Sequence, residues 1–376
     1  MTIIRTFTDG ADAFLVDSDT AYQFDFLGGD DVLRVVRGTV SAHMGSGDDR
    51  VRIDGGSTTI FGDDGADRID LLAAGTVDGG AGNDRFNIRA GSNHVLDGAA
   101  GDDSFVFYGA VSGEQLSGGD GNDRFLANGV GVSGTIDGGA GNDAFYGFAD
   151  TAAGLTLAGG TGNDLYRLTS ASAPDIVENA GEGVDTVQLG RGFSYTLGAN
   201  VENLRVLDSL GSGEDATLTG NSLANLITGS SGRDALDGMG GNDALLGGAG
   251  NDTIDGGDGN DRIVGGLGAD ELVGGSGRDV FIYSSIADSS ISQPDEIYDF
   301  DLSQDRINLS AIDADTTTPG KQDFVFGGDG VGHLETGTFI GTDLVADTNG
   351  DGHYDFYIYL PGLGEGDYLT ANNFIL

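Results

Sequence analysis

Six aspartates recur at intervals of nine residues, and this period constrains the fold more than any other feature of the chain. They are Asp234, Asp243, Asp252, Asp261, Asp270 and Asp279. Paired glycines such as Gly247-Gly248 precede them and let the backbone turn tightly with its carbonyl oxygens exposed. Each aspartate is followed by a triplet whose central residue is large and apolar, such as Ile254, which is typical of a short strand with one inward side chain. The period therefore predicts alternating loops and strands, with two nonapeptides in each coil.

Stacked coils of this kind place the six aspartates in two rows. Asp234, Asp252 and Asp270 fall on one edge, and the other three fall on the opposite edge. Calcium is a hard cation that takes about six to eight oxygen ligands, more than one loop supplies. Carbonyls and carboxylates from two successive coils supply that number, so we expect calcium ions to bridge the coils along both edges.

The nonapeptide matches G-G-x-G-x-D-x-U-x, where U is a large apolar residue, and by this run the chain resembles the RTX (repeats-in-toxin, hemolysin-type calcium-binding) proteins. The resemblance implies an all-β fold, a parallel β-roll or β-helix solenoid of glycine-rich coils, with several Ca²⁺ ions as the cofactor.

A second array precedes this block, with the same aspartate-x-apolar element at intervals of 17 to 21 residues. Each interval is one whole coil with the glycine–aspartate loop on one edge and a plainer turn on the other, so this half should bind calcium along a single row. An inward series from Phe14 to Tyr166 becomes aromatic midway and is expected to form the core. The predicted ligands are Asp31, Asp49, Asp67, Asp84, Asp103, Asp123, Asp143 and Asp164.

Composition excludes several classes of protein. The chain carries 61 acidic residues against 17 basic ones, a formal charge of −44, which disfavours nucleic-acid binding and lets bound cations relieve self-repulsion. Cysteine is absent, so disulfides and thiol catalysis are excluded. The N-terminus has no apolar signal-peptide core, and no 18-residue apolar stretch occurs, so we expect neither a cleaved leader nor membrane insertion.

After Phe281 the period ends and the sequence changes character. The segments PDEIYDF, DRINLSAID and the terminal NFIL occur in the order found in the C-terminal region of the serralysin metalloproteases, which residues 283–376 resemble. The resemblance implies a β-rich cap that carries an uncleaved type I secretion signal, and therefore type I secretion machinery as a partner and an extracellular or cell-surface location. The expected domains are a one-edge β-helix at 1–170, connecting β coils at 171–228, the nonapeptide β-roll at 229–282 and the cap at 283–376.

Within the cap, oxygen-bearing residues at alternate positions form a further candidate calcium loop. Asp347, Asn349, Asp351 and Asp355 surround a glycine at the sharp turn, a pattern similar to an EF-hand loop. The glutamate expected at the twelfth position is absent, and Ile358 stands there.

No catalytic motif accompanies these sites. The four histidines are scattered singly, with His43 and His94 expected at the solvent-exposed plainer edge, and neither H-E-x-x-H nor G-x-S-x-G occurs. We therefore predict a non-enzymatic, secreted structural protein that self-assembles in a surface layer, matrix or adhesive, or binds a cell-surface polysaccharide. The alternatives are an ice-binding or adhesin module, which would need a column of threonines before the loops, and a polysaccharide-acting β-helix enzyme, which would need clustered carboxylates outside the calcium frame.

Overall fold

The computed structural model describes residues 2–148, 154–170, 174–190, 192–207, 213–327, 333–336, 343–364 and 367–376. The chain divides into two units, an N-terminal unit of Met1–Gln188 and a C-terminal unit of Leu189–Leu376. Both are built from short strands, and the one helical element among the described residues is a 3₁₀ turn at Ala371–Asn373. No described helix has the length and hydropathy needed to cross a bilayer. The prediction of an all-β parallel solenoid is confirmed.

In the N-terminal unit, each coil has two sides, and one strand segment lies on each side. The strands are β1 (Thr2–Thr6), β2 (Ala13–Asp25), β3 (Val32–His43), β4 (Arg50–Ile53), β5 (Ser57–Phe61), β6 (Arg68–Leu71), β7 (Thr76–Ala81), β8 (Arg85–Ile88), β9 (Val95–Ala100), β10 (Ser104–Phe107), β11 (Val111–Asp120), β12 (Arg124–Leu126), β13 (Val132–Ala140), β14 (Ala144–Phe148), β15 (Leu155–Thr161), β16 (Leu165–Leu168), β17 (Asp175–Val177) and β18 (Thr186–Leu189).

These strands form two parallel sheets. Sheet 1 contains the strands that directly follow each glycine–aspartate loop, namely the starts of β2 and β3 and then β4, β6, β8, β10, β12, β14 and β16. Sheet 2 contains β1, the ends of β2 and β3, and β5, β7, β9, β11, β13, β15 and β17. Because side chains alternate along a strand, every second residue of each sheet points into the space between them.

Stacked aromatic rings fill the core of the later coils. Phe86 lies 4.5 Å from Phe105, ring centre to ring centre, and the stack continues through Phe125, Phe145 and Tyr166 at spacings of 4.8 to 5.0 Å. The rings are fully buried, and each lies in register with the next along sheet 1. The predicted inward aromatic series is therefore confirmed.

The C-terminal unit continues the same design with shorter strands. They are β19 (Tyr195–Thr196), β20 (Asn203–Val206), β21 (Thr217–Thr219), β22 (Leu226–Thr228), β23 (Ala235–Asp237), β24 (Ala244–Ala249), β25 (Thr253–Asp255), β26 (Asp258–Gly259), β27 (Arg262–Leu267), β28 (Glu271–Val273), β29 (Ser276–Gly277), β30 (Val280–Ile282), β31 (Asp295–Ile297), β32 (Arg306–Asn308), β33 (Val325–Phe326), β34 (His333–Thr336), β35 (Asp343–Ala346), β36 (Phe356–Tyr359) and β37 (Phe374–Ile375).

Two parallel sheets again enclose the core of this unit. One runs β20-β22-β24-β27-β30-β32-β37. The other runs β19-β21-β23-β25-β28-β31-β36 and is extended by the antiparallel strands β35 and β34. The cap thus adds its own strands to the end of both sheets, which covers the last repeats of a solenoid that has no further coil to pack on.

Candidate metal-binding rows

The loop aspartates of the N-terminal unit form one continuous row. The backbone N–H of each donates a hydrogen bond to Oδ1 of the aspartate one coil further along the chain, over 2.5 to 2.9 Å, from Asp12 through to Asp185. The loop before each of the eight predicted ligands turns on glycines in the left-handed region, as at Gly119 (φ 105°) and Gly121 (φ 142°). The structure thus brings all eight predicted ligands of this unit onto one edge.

The C-terminal unit has two such rows. In the first, the Asp234 N–H donates to Asp252, Asp252 to Asp270, and Asp270 to Asp295, over 2.8 to 3.0 Å. In the second, the same bonds run from Asn225 through Asp243, Asp261 and Asp279 to Asp305, over 2.7 to 2.9 Å. The predicted separation of the nonapeptide aspartates into two edges matches this arrangement.

Each row aspartate has one oxygen that the fold does not use. All fourteen predicted row aspartates expose no more than 2% of their surface. In thirteen of them Oδ2 is buried without a hydrogen-bond partner, Asp234 being the exception because its Oδ2 accepts bonds from Ser230. Burying an ionised carboxylate oxygen without a partner is strongly unfavourable, so a repeated series of them at neutral pH favours bound cations.

The free oxygens point into small cradles between coils. A Cβ atom added at Gly118 would collide with Oδ2 of Asp123 and with the carbonyl oxygen of Gly138 in the next coil. The same pair of oxygens, from the coil's own aspartate and the next coil's glycine, surrounds Gly98 and Gly247. Carboxylate and carbonyl oxygens from two coils are the donor set that calcium prefers, so the residues fit the ion.

Burial shifts the titration of the row. Burial in the fold raises the pKa of Asp84 to about 8 and that of Asp252 to about 7, although a backbone N–H bond to each carboxylate opposes the shift. Neighbouring row aspartates raise both values further. Burial and repulsion between neighbours destabilise the ionised form of these carboxylates, and a bound divalent cation offsets both effects.

Three row members were missed by sequence reasoning. Asp185, Asp295 and Asp305 each accept the N–H bond that continues a row, and all three are buried. Each begins the same aspartate-x-apolar element, as in Asp295-Glu296-Ile297, but no glycine pair precedes it. The sequence therefore contained the aspartate signal without the glycine turn. The rows therefore extend past residues 170 and 282, while the domain boundaries placed there stay a prediction.

Three carboxylates cluster in the last coils of the N-terminal unit. Oxygens of Asp164, Glu178 and Asp185 lie within 4.8 Å of one another, the one such acidic group among the described residues. Near Gly159, Glu178 Oε1 takes the place that the next coil's glycine carbonyl occupies elsewhere, and it accepts bonds from the Gly159 N–H at 3.1 Å and from the Tyr166 hydroxyl. Burial raises the pKa of Glu178 to about 7. Sequence reasoning also missed Glu178, because no sequence motif marks a position where a glutamate side chain takes the place of a backbone carbonyl.

In the EF-like loop, side-chain oxygens accept hydrogen bonds from the loop's own backbone. Asp347 Oδ1 and Oδ2 accept N–H bonds from Gly350 at 2.7 Å and Gly352 at 3.0 Å, and Asn349 donates to Asp355 at 3.0 Å. Burial alone would raise the pKa of Asp347, but the backbone bonds outweigh it and lower the pKa. Calcium binding at Asp347, Asn349, Asp351 and Asp355 stays a prediction.

Family comparisons agree with this geometry. A family model for the RTX calcium-binding nonapeptide repeat (4 copies) matches residues 76–95, 108–129 and 133–151, and one for the Peptidase M10 serralysin C terminal matches residues 225–376. The chain is an RTX protein. Its repeats bind calcium, and its C-terminal part is a serralysin-like domain.

Solved structures are similar to this chain as well. The RTX protein is similar to the AlgE6R3 subunit of the Azotobacter vinelandii mannuronan C5-epimerase, known from a solution structure, with 30% sequence identity over 42% of this chain and 80% of that one and a TM-score of 0.20. No curated protein gives a significant match.

Proposed function

We propose that this RTX protein is a secreted, non-enzymatic structural protein that folds on extracellular calcium and self-assembles as a surface-layer, matrix or adhesive component. The observation that carries the proposal is the series of buried, unpaired carboxylate oxygens along three rows. Their repulsion opposes folding without calcium, and bridging ions between coils reverse that effect. The low calcium of a cytoplasm then keeps the chain unfolded and fit for export.

The placement of the C-terminal segment supports this order of events. Phe374 pairs with Ile307 in β32 and is 8% exposed, while the Asn373 side chain donates to the Leu302 carbonyl at 2.9 Å. If this segment is the type I secretion signal, folding would bury it in the sheet. Export before folding and calcium-driven folding afterwards are then two parts of one mechanism.

Circular dichroism and electron microscopy in chelator and in millimolar calcium test the proposal. We expect a coil spectrum in chelator, and a β spectrum with ordered sheets or filaments in calcium. A variant carrying D103N, D123N and D143N should need more calcium to fold, whereas the exposed-site control D97N with D137N should not. A folded spectrum in chelator would contradict calcium-driven folding, and isolated particles at all calcium concentrations would contradict self-assembly.

Ice binding is the first alternative, and the stacking of residues before the loops speaks against it. Successive strands and bridges place these residues in one column. An ice-binding face would require threonine throughout this column, which holds Ser46, Asp64, Ala81, Ala100, Asp120, Ala140 and Thr161.

A polysaccharide-acting enzyme is the second alternative. It would need a carboxylate cluster outside the calcium frame, and in the described part of the chain the one group of three acids is Asp164, Glu178 and Asp185, on the row itself. An adhesin is compatible with the same calcium rows.

A further inference from the structure

The few basic residues of the N-terminal unit are concentrated on the outer surface of sheet 1. Eight of the ten arginines in residues 1–188 lie on or directly beside its strands, and all eight are exposed. We call this surface the arginine face; it comprises Arg34, Arg50, Arg52, Arg68, Arg85, Arg89, Arg124 and Arg167. Such a cationic surface is unexpected in a chain of formal charge −44.

Strand register aligns five of these arginines with one another along the solenoid. Arg50, Arg68 and Arg85 are direct partners in successive coils, and Arg34 is the partner of Arg52. Neighbouring strands are about 4.8 Å apart, so the guanidinium groups form a column with one charge per coil over these turns.

Only part of this charge is neutralised within the face. Asp54 pairs with Arg34 at 2.6 Å and with Arg52 at 2.8 Å, and Asp70 pairs with Arg68 at 3.4 Å and Arg89 at 3.5 Å. The remaining four arginines form no ion pair with any described residue; they are Arg50, Arg85, Arg124 and Arg167.

Aromatic rings lie among the arginines. The Arg124 guanidinium is 4.7 Å from the ring centre of Tyr146, and Arg89 is 4.5 Å from that of Tyr108. Arg124, Tyr146 and Arg167 line an open groove of about 520 Å³ on this surface. Tyrosine rings offer flat apolar surface beside a hydroxyl, which suits the face of a sugar ring, while guanidinium groups bind carboxylates through paired hydrogen bonds.

We propose that the arginine face binds a linear acidic polysaccharide along the solenoid axis. A polymer with a carboxylate on its sugars presents anions in a line, as the arginine column presents cations, and its sugar rings match the tyrosines. Calcium neutralises the row aspartates, so the positive potential of this face is not cancelled by the nearby edge when the protein is folded. This binding is independent of the self-assembly proposed above.

A second copy of the chain fits the face less well. Sheet 2 carries the outward column Asp78, Asp97, Ser117, Asp137 and Ala158, in which neutral residues interrupt the acids at two of five positions. One of these acids is also hydrogen-bonded within its own turn, since Asp97 Oδ1 accepts the Ala99 N–H at 3.1 Å. The row aspartates are buried and unavailable.

Calorimetric titration of the folded full-length protein in millimolar calcium tests the proposal. A galacturonate octasaccharide, short enough to limit gelling with calcium, is the probe, and a neutral glucose octasaccharide is the comparison. We expect the galacturonate to bind and the glucose oligomer not to bind. The variant R124Q with R167Q should weaken binding at least about tenfold, since two charge-assisted contacts are lost.

The matched control is R262Q with R278Q, which removes the same charge from two exposed arginines of the C-terminal unit. It should leave binding unchanged, and the calcium needed for folding should be the same in both variants. Equal losses in the two variants would overturn the proposal, because binding would then reflect overall charge or bound calcium. It would also be overturned by a wild type that does not bind, by equal binding of duplex DNA, or by self-association that R124Q with R167Q abolishes.

Discussion

The backbone N–H of Asp123 donates a hydrogen bond of 2.6 Å to Oδ1 of Asp143, one coil further along the chain. One carboxylate oxygen therefore ties two coils together, and the other, Oδ2, is left buried in the cradle between coils. Thirteen of the fourteen predicted row aspartates thus have a structural and a candidate metal-binding role on different atoms. Loss of one side chain affects the coil before it as well as its own calcium site.

This sharing predicts coupling along a row but not between rows. Asp252 connects Asp234 to Asp270, while Asp261 lies in the other row of the same unit. D252N should lower the calcium stoichiometry by more than one. In calcium titrations, the fall in calcium stoichiometry for D252N with D270N should be smaller than the sum of the falls for the two single variants. For D252N with D261N, it should equal that sum.

The control for these single and double variants is D255N, which removes the same charge from an exposed position on the strand that follows Asp252. Additive losses in both double variants would show that the sites are independent and that no ion is shared between coils.

Filling a cradle should remove calcium without touching a carboxylate. In G118A the new methyl group would meet Asp123 Oδ2 and the Gly138 carbonyl, and Gly118 does not have the positive φ that would add backbone strain. We expect the loss of at least one ion and a higher calcium concentration for folding, both measured by titration. G10A is the matched control, because its Cβ would meet nothing closer than 3.9 Å. Wild-type calcium binding by G118A would show that the cradle is not the ion's position.

The raised pKa values predict a pH dependence whose sign differs with and without calcium. The ordinary pKa of an aspartate carboxyl is 3.8, and burial raises the pKa of Asp123 to about 6 and that of Asp84 to about 8. Protonated carboxyls therefore stabilise the calcium-free fold fully below pH 3.8, and that contribution is lost as the pH rises through about 6 to 8. In chelator, folding should increase on acidification.

Calcium requires the deprotonated carboxylates, so the calcium concentration at half-folding should rise as the pH falls from 8 to 5. Circular dichroism at fixed pH values measures both effects. Monovalent salt is the control, because it screens exposed charges but does not protonate buried ones, so acid-induced folding should persist in high salt. A half-folding calcium concentration that does not change between these pH values would contradict the assignment of the row.

The solenoid was predictable because one local rule repeats. Glycine turns, an aspartate and a single inward apolar residue suffice to define each coil, and predicting Asp143 and Asp252 as ligands needs no long-range information. Asp295 and Asp305 obey the same rule without the glycine pair, and they were assigned to the cap because the period ends at Phe281. A looser pattern of aspartate-x-apolar would have found them.

Positions set by packing rather than by period were not predictable. The expectation that His43 and His94 are both exposed is correct for His43, whose side chain is 50% exposed, and wrong for His94, which is fully buried. The difference arises from neighbouring coils, because Glu114, 20 residues away, reaches the His94 ring at 2.7 Å. No motif in the sequence marks such a contact.

The His94–Glu114 pair leads to the last prediction. Both side chains are fully buried, and His94 Nδ1 contacts Glu114 Oε2. H94A should destabilise the calcium-bound N-terminal unit by about 3–5 kcal/mol, because Glu114 is left buried without its partner. H43A is the control: its partner Asp63 is 36% exposed, so water replaces the lost contact and the effect should be small.

Urea unfolding in saturating calcium measures these differences. The double variant H94L with E114M replaces both polar groups by apolar ones of similar size, so it should be more stable than H94A even though it removes more of the native contact. Equal destabilisation by H94A and H43A would contradict the buried pair. A double variant less stable than H94A would show that the pair itself, and not the uncompensated glutamate, holds the coils together.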